Sequence, residues 1–173
     1  MEAQAIFAAK KAINGLVSRT PLLYSPLLSQ QYQCEIWLKL ETLQPIGAFK
    51  LRGATHAMNK LTDEQKRHGV VTCSTGNHGR AVAYAGQRLD VRTVICMSNL
   101  VPKNKVDAIK ALGAEVRIVG QAQDDAEREA LRLTEQESMT YLSPFEHPDI
   151  IAGQGTIGLE ILEDLPDVDV IFA

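Results

Sequence analysis

Residues 70–79 read Val70-Val71-Thr72-Cys73-Ser74-Thr75-Gly76-Asn77-His78-Gly79. The β-branched start of this stretch predicts a short strand, and the Ala-rich sequence from Asn77 to Leu89 predicts a helix. A loop of small residues joins the two. The backbone N–H groups of such a loop can bind an anion at the helix N-terminus, but Ser, Thr and Asn are also common in plain turns and caps. The loop alone supports both interpretations equally.

The alternation of strand and helix continues on both sides of this stretch. Further strands are predicted at residues 35–40, 91–97, 115–119 and 168–172, and further helices at residues 103–112, 124–137 and 151–165. Alternating elements of this kind are typical of βαβ units, in which helices cover both faces of a parallel sheet. The pattern therefore predicts an α/β fold.

The composition excludes several classes of protein. The chain has 173 residues, of which 45% are hydrophobic and 23% charged, as expected for a globular protein with its own core. Its net charge is −3, which predicts no nucleic-acid partner. No apolar run reaches the roughly 18 residues of a membrane-spanning helix, and residues 1–11 resemble an amphipathic helix more than a signal peptide. Three widely spaced cysteines favour a reducing cytoplasm.

A second informative segment is Gln44-Pro45-Ile46-Gly47-Ala48-Phe49-Lys50-Leu51-Arg52-Gly53-Ala54. Its Pro and Gly predict a loop that runs into a helix near Ala48, which places Lys50 in the first helical turn. The positive end of the helix dipole disfavours a cation there, and a desolvated lysine in this position can act as an amine nucleophile. Taken alone, a solvated surface lysine is the commoner explanation.

Two other sequence patterns bear on the chemistry. The run Gly153-Gln154-Gly155-Thr156-Ile157-Gly158 matches the GxGxxG fingerprint of nicotinamide-dependent oxidoreductases. That fingerprint should follow a strand, whereas these glycines fall inside the predicted helix 151–165, so we favour close helix packing. The histidines show no metal-ligand spacing, and no metal site is predicted.

Four motifs, in order, resemble the fold-type II pyridoxal-phosphate enzymes (tryptophan synthase β-like), specifically the serine/threonine dehydratase family. They are Arg19-Thr20-Pro21-Leu22, the segment around Lys50, the loop 74–79, and Pro144-Phe145 together with residues 151–160. Residues 74–85 also resemble the branch of hydroxyectoine-utilisation dehydratases.

The resemblance implies an architecture of parallel and mixed sheets with helices on both faces. Residues 63–147 would form a small α/β domain, and residues 1–62 and 148–173 part of a larger, incomplete pyridoxal-phosphate-binding domain. The family's glycine-rich phosphate loop would follow shortly after Ala173. We therefore expect an N-terminal fragment that is inactive alone and binds the cofactor weakly or not at all.

The resemblance also implies the roles of the site residues. Lys50 would form the Schiff base with pyridoxal 5′-phosphate, Phe49 would pack against this cofactor, and Asn77 would hydrogen-bond its 3′-oxygen. The substrate carboxylate would be held by backbone amides of the loop residues Ser74, Thr75, Gly76, Asn77 and His78.

The implied activity is that of a lyase. A β-hydroxy amino acid such as threonine or serine would lose water by β-elimination and yield a 2-oxo acid and ammonium. Thr75 stands where serine racemases carry a serine that acts as the second catalytic base, so we expect racemisation to be weak or absent. A homo-oligomer is expected, as is usual in the family.

Three alternatives to this activity remain open. The narrower one is a dehydratase of hydroxyectoine catabolism. Two come from other classes: a nicotinamide-dependent oxidoreductase that uses Gly153–Gly158, and a non-catalytic module that keeps the fold.

Overall fold

The structure, a computed structural model, describes residues 2–173 and consists of helices and short strands. The α-helices are α1 (Ala3–Ile13), α2 (Pro26–Tyr32), α3 (Lys50–Asn59), α4 (Asp63–His68), α5 (Asn77–Leu89), α6 (Lys103–Lys110), α7 (Gln123–Glu137) and α8 (Pro148–Asp164). The strands are β1 (Leu22–Tyr24), β2 (Trp37–Lys39), β3 (Val70–Cys73), β4 (Thr93–Met97), β5 (Glu115–Ile118) and β6 (Thr140–Tyr141). A 3₁₀ helix covers Glu41–Leu43.

Strands β3 to β6 form one parallel sheet in the order β5-β4-β3-β6. Strands β3 and β4 are buried along their whole length, as expected when helices cover both faces of a parallel sheet. Strands β1 and β2 pair separately in an antiparallel ribbon. The sequence therefore predicted the parallel α/β arrangement correctly.

Alternate residues of the two central strands point to opposite faces of the sheet and form two cores. Val70 of β3 and Ile95 of β4 join the core that also contains residues of α3 and α5. Val71 of β3 and Val94 of β4 join the other core, which packs against α7. The period of two in a strand explains this division.

Helices α1, α3 and α8 pack on one another beside the sheet, and two glycines allow α3 and α8 to approach closely. A Cβ atom added to Gly153 would lie 2.6 Å from the Cα of Gly53 and 2.7 Å from the carbonyl oxygen of Arg52. Such distances are too short for any side chain. The contact fixes the orientation of α3, and thus of Lys50 at its first position.

One predicted strand is wrong. Residues 168–172 form no strand, and the side chains of Val170, Ile171 and Phe172 are exposed. Strand structure requires hydrogen bonds to a neighbouring strand, and none pairs with this segment among residues 2–173, so its β-branched sequence alone is insufficient. The N-terminal helix predicted over residues 1–11 corresponds to α1, with Met1 outside the described residues. Within that part of the chain, no helix combines the length and apolarity needed to cross a bilayer.

Candidate active site

Two loops and one helix start meet at the carboxyl edge of the parallel sheet. The loop 74–76 follows β3, and the loop 142–147 follows β6, its neighbour in the sheet. Ligands of open α/β sheets bind at this edge, because the loops that leave neighbouring strands lie side by side there. The first residue of α3, Lys50, reaches the loop after β6 from the adjacent helix layer.

The Lys50 amine has few partners. Its Nζ donates one long hydrogen bond, 3.4 Å, to the carbonyl oxygen of Pro144. It also lies 5.3 Å from the ring centre of Phe49 and 5.9 Å from that of Phe145. Lys50 is thus partly buried, its amine lies beside two phenyl rings, and its one hydrogen bond to residues 2–173 is weak.

The N-terminus of α5 carries no side-chain cap. Gly76 occupies the N-cap position, and the hydroxyl of Ser74 accepts a hydrogen bond from its amide at 3.3 Å without capping the helix. By contrast, Thr62 and Gln65 close the start of α4 with a complete capping box. The first N–H groups of a helix lack intrahelical partners, and uncapped they attract anions. The N–H groups at the start of α5 are thus available as donors, which is compatible with the anion-binding interpretation of the loop.

A glycine holds this loop against its helix. A Cβ atom at Gly79 would lie 2.6 Å from the carbonyl oxygen of Ser74 and 3.2 Å from the side chain of Ile95. Any larger residue would push the loop away from α5. Gly79 thus brings Ser74 and the N-terminus of α5 together.

His78, in the first turn of α5, is buried and uncharged. Its exposed fraction is 2%, and its Nε2 lies 3.2 Å from the carbonyl oxygen of Leu142. A carbonyl only accepts hydrogen bonds, so Nε2 carries the proton and Nδ1 is a bare acceptor. Burial lowers the pKa of His78 to about 4, and the nearby charges of Lys50 and His147 act in the same direction, against the bond to Leu142. The ring is therefore neutral at physiological pH.

Two residues after Lys50, the guanidinium of Arg52 is enclosed by carboxylates. It donates to both carboxylate oxygens of Glu41 at 2.9 and 2.7 Å and to both of Glu160 at 2.7 and 2.8 Å. Lys39 adds an ion pair to Glu160 at 2.7 Å. Burial works against ionisation of Glu160, but hydrogen bonds from Arg52 and Lys39 outweigh it and lower the pKa of that carboxyl.

The Arg52 cluster joins elements that are distant in the sequence. Glu41 lies in the 3₁₀ helix, Arg52 in α3 and Glu160 in α8. A buried Arg paired with two carboxylates restrains all three elements, because releasing any member would leave a buried charge unpaired. The cluster thereby sets the position of the α3 N-terminus and its lysine.

The structure brings most of the predicted site residues to one edge. Lys50 and Phe49 lie at the start of α3, and the loop Ser74, Thr75 and Gly76 leads into Asn77 and His78 at the start of α5. Phe49 is 40% exposed, and Asn77 is exposed. Phe49 contacts the Lys50 amine, whereas the side chain of Asn77 has no such contact in residues 2–173.

Sequence reasoning missed the residues that contact Lys50 from the far side of the site. Pro144 and Phe145 were recognised only as part of a family motif, without a role. The hydrogen bond from Lys50 to Pro144 spans 94 positions in the chain, so no local pattern could indicate it. The role of Arg52 was also missed, although an arginine on the apolar face of α3 is a signal of a buried charge that requires partners.

The oxidoreductase alternative is wrong for this chain. Gly153–Gly158 lies inside α8, which starts at Pro148 after the loop 142–147, so no strand leads directly into the glycines. A dinucleotide fingerprint needs its glycines in the turn between a strand and a helix, where backbone N–H groups are free. Here Gly153 packs on Gly53, and the close contact of two helices explains the small residues.

Comparison with known proteins identifies the family. Residues 13–173 match the profile of the pyridoxal-phosphate dependent enzymes. A putative threonine dehydratase of Sinorhizobium fredii is 49% identical over 168 residues, which cover 97% of this chain and 51% of that protein. The L-threonine ammonia-lyase of Thermotoga maritima is 44% identical over 163 residues, or 94% of this chain and 41% of that protein.

Solved structures show the same fold. Maize serine racemase superposes with a TM-score of 0.94 at 33% identity, covering 97% of this chain and 51% of that one. The predicted fold class, that of the fold-type II pyridoxal-phosphate enzymes, is thereby confirmed. The chain spans about half the length of the first relative and of the maize enzyme. By sequence and by fold, it belongs to the family of pyridoxal-phosphate dependent enzymes.

Proposed function

We propose that the protein is a pyridoxal-phosphate-dependent dehydratase that converts a β-hydroxy amino acid, threonine or serine, to a 2-oxo acid and ammonium. One observation carries the proposal: the partly buried Lys50 amine lies beside two phenyl rings and makes a single long hydrogen bond within residues 2–173. The relatives named threonine dehydratase and threonine ammonia-lyase support the substrate class. The narrower resemblance to hydroxyectoine-utilisation dehydratases stays a prediction.

The residues at this edge fit the cofactor in three respects. Within residues 2–173 the Lys50 amine has no carboxylate partner, which suits the aldehyde of pyridoxal phosphate, because an ion pair would have to break before the amine could attack. The rings of Phe49 and Phe145 provide apolar surface for a flat heteroaromatic ring. Asn77, exposed at the start of α5, is a free hydrogen-bonding group for the cofactor's 3′-oxygen.

When bound, the cofactor acts as an electron sink that stabilises negative charge at the substrate Cα. The protein residues do the remaining work. The uncapped amides of the loop Ser74–His78 would hold the substrate carboxylate and so orient the amino acid. The Lys50 amine would take the Cα proton as general base. The β-hydroxyl would leave with a proton as water, and the released enamine would then hydrolyse with a second water molecule to the 2-oxo acid and ammonium.

We extend the proposal to the organisation of the whole protein. Residues 63–147 would be a small domain, supported by a parallel sheet that lies wholly within them. Residues 1–62 and 148–173 would belong to a larger domain, supported by the packing of α1, α3 and α8. The buried free thiols Cys73 and Cys96 fit a reducing compartment such as the cytoplasm. The expected homo-oligomer is testable by sedimentation.

The test is borohydride trapping. The 173-residue chain and a version extended to the length of its relatives are each mixed with pyridoxal phosphate, reduced with borohydride and digested, and the pyridoxyl-labelled peptide is identified by mass spectrometry. In the extended version we expect the label on Lys50, and we expect Lys50→Ala to lose both this label and the formation of 2-oxo acid from threonine and serine. Lys105→Ala, at an exposed lysine of α6, is the matched control and should keep both.

Two results would contradict the proposal. Label spread over surface lysines, with none enriched at Lys50, would exclude Lys50 as the cofactor residue. Label on Lys50 without 2-oxo acid from any β-hydroxy amino acid would retain the cofactor site and reject the dehydratase activity. A racemase would instead convert L-serine to D-serine, which chiral chromatography of the same reaction detects.

A further inference from the structure

The segment 143–145 contacts the Lys50 amine but has little to hold it in place. The carbonyl oxygen of Pro144 accepts the hydrogen bond of Lys50, and the ring of Phe145 lies beside the same nitrogen. Phe145 is 75% exposed, so the packing of its own side chain cannot fix the segment. Within the segment, the hydroxyl of Ser143 accepts bonds only from the nearby amides of Phe145 and Glu146.

The anchor lies one residue earlier, at Leu142. Its carbonyl oxygen accepts two buried hydrogen bonds, from the hydroxyl of Thr72 at 2.7 Å and from Nε2 of His78 at 3.2 Å. Its amide donates to the carbonyl oxygen of Val71 at 2.9 Å, and its side chain is fully buried. Leu142 is therefore fixed on all sides, and the segment that follows it leaves from a rigid point.

We propose that His78 is a positioning residue for Lys50. Through the carbonyl of Leu142 it fixes the segment 143–145, whose Pro144 carbonyl in turn holds the Lys50 amine. Thr72 is the second donor to the same carbonyl. The importance of this arrangement for catalysis rests on the proposed function, in which Lys50 is the reactive amine; the arrangement itself does not.

The chemistry of a neutral imidazole suits this task. His78 supplies an N–H donor in a buried place without adding a second positive charge near Lys50. Because His78 also belongs to the first turn of α5, the same side chain ties the segment 143–145 to the uncapped N-terminus of that helix. One buried contact thus relates the position of the amine to the position of the anion-binding loop.

Two variants separate the hydrogen bond from simple packing. His78→Leu fills much of the same volume but has no donor. His78→Gln is the conservative variant, because its amide N–H can reach the position that Nε2 occupies. Thr72→Val removes the other donor to Leu142 with almost no change of shape, so it probes the same carbonyl without altering His78.

The experiment measures how fast Lys50 reacts with formaldehyde and cyanoborohydride, in the absence of pyridoxal phosphate. Peptide mass spectrometry gives the rate of methylation of Lys50 relative to that of the exposed Lys105 in the same sample. We expect this ratio to rise roughly twofold to fivefold in His78→Leu, within the limit set by loss of the one weak hydrogen bond of Lys50. It should rise by a comparable amount in Thr72→Val, whose bond to the same carbonyl is the shorter one, and stay near the wild-type value in His78→Gln.

An unchanged ratio in folded His78→Leu overturns the proposal, and so does an equal rise in His78→Leu and His78→Gln. If circular dichroism shows that His78→Leu is unfolded, the decision passes to His78→Asn, whose shorter amide cannot reach Leu142. A higher ratio in His78→Asn than in His78→Gln then supports the proposal, and equal ratios reject it. Because formaldehyde needs no cofactor, these outcomes are independent of the trapping of pyridoxal phosphate on Lys50.

Discussion

Lys50 and Arg52 are two cations of the same helix, and their surroundings differ completely. Arg52 is fully buried and donates hydrogen bonds to both oxygens of Glu41 and of Glu160, with further bonds to Thr156 and to the carbonyl of Ser18. Lys50 has one hydrogen bond of 3.4 Å and no carboxylate within ion-pair distance in residues 2–173. Helix α3 therefore carries an arginine with several carboxylate hydrogen bonds and a lysine with a single weak hydrogen bond in residues 2–173.

This difference in surroundings suits different roles for the Arg52 and Lys50 side chains. A buried guanidinium costs several kcal/mol of desolvation unless every donor is satisfied, so a network like that of Arg52 serves to fix the elements it joins. An amine that must react needs the opposite, since each strong partner would have to be released first. Arg52 thus restrains the helix that carries Lys50, and the proposed function requires the weak contacts that Lys50 makes.

The largest expected effect comes from removing the two charges in turn. Arg52→Met should lower the free energy of unfolding by about 3–5 kcal/mol, because Glu41 and Glu160 are left buried without their main partner. Lys50→Met should change it by less than about 1 kcal/mol, since only one weak hydrogen bond is lost. Urea unfolding followed by circular dichroism measures both.

The exposed Arg92 provides a control for charge removal as such. It pairs with Glu115 and Glu137 at the surface, so Arg92→Met should cost about 1 kcal/mol at most. If Arg52→Met were no more destabilising than Arg92→Met, the Arg52 cluster would not stabilise the fold, and the contrast drawn between Arg52 and Lys50 would be wrong.

The second effect is a dependence of stability on pH that involves His78. Its pKa is about 4 in the folded protein and about 6.5 in an unfolded chain, so the unfolded state binds more protons between these values. The contribution of neutral His78 to the free energy of unfolding is fully present above about pH 6.5 and is lost as the pH falls towards 4, by about 3 kcal/mol in total. Urea unfolding at several pH values from about 7 to about 4 measures the loss, because this range spans the two pKa values.

Here His78→Gln is the informative variant, because glutamine does not titrate. As the pH falls over this window, the free energy of unfolding of wild type should decrease by more than that of His78→Gln. Acidic groups such as Glu160, whose pKa is lowered, also lose stabilising interactions in acid, but they do so in both proteins. A constant difference would show that His78 titrates normally and is not buried as described.

The smallest effect concerns the helix contact beneath the two cations. Gly153→Ala should destabilise by roughly 1–3 kcal/mol, because the new Cβ would overlap the backbone of Gly53 and Arg52. Gly158→Ala, in the same helix and the same GxGxxG run, meets no atom within 4 Å and should stabilise by up to about 1 kcal/mol. Thermal unfolding of both variants tests the prediction, and equal effects would contradict it.

Prediction from sequence was accurate where the cause is local. The start of α5 at Asn77 and the position of Lys50 in the first turn of α3 both agree with the structure. Each depends on residues within one or two turns. The strand predicted at residues 168–172 failed because a strand depends on a partner as well as on its own sequence.

The roles of the site residues divide in the same way. The motif around Lys50 and the loop 74–78 could be selected from the sequence, because the family resemblance and the local chemistry agree there. The bond from Lys50 to Pro144, the two donors to Leu142 and the carboxylates around Arg52 could not, since their members lie far apart in the chain.

By itself, then, the amino-acid sequence determined the order of strands and helices from β3 to α7, the parallel α/β class and the helix starts that carry Lys50 and Asn77. These follow from side-chain periodicity and from capping, which act over a few residues. Only the tertiary structure decided that Lys50 makes one weak hydrogen bond, that Arg52 makes several strong ones, and that His78 donates its N–H to the carbonyl of Leu142. Such contacts span up to 108 positions, and their strength depends on burial that exists only once the chain has folded.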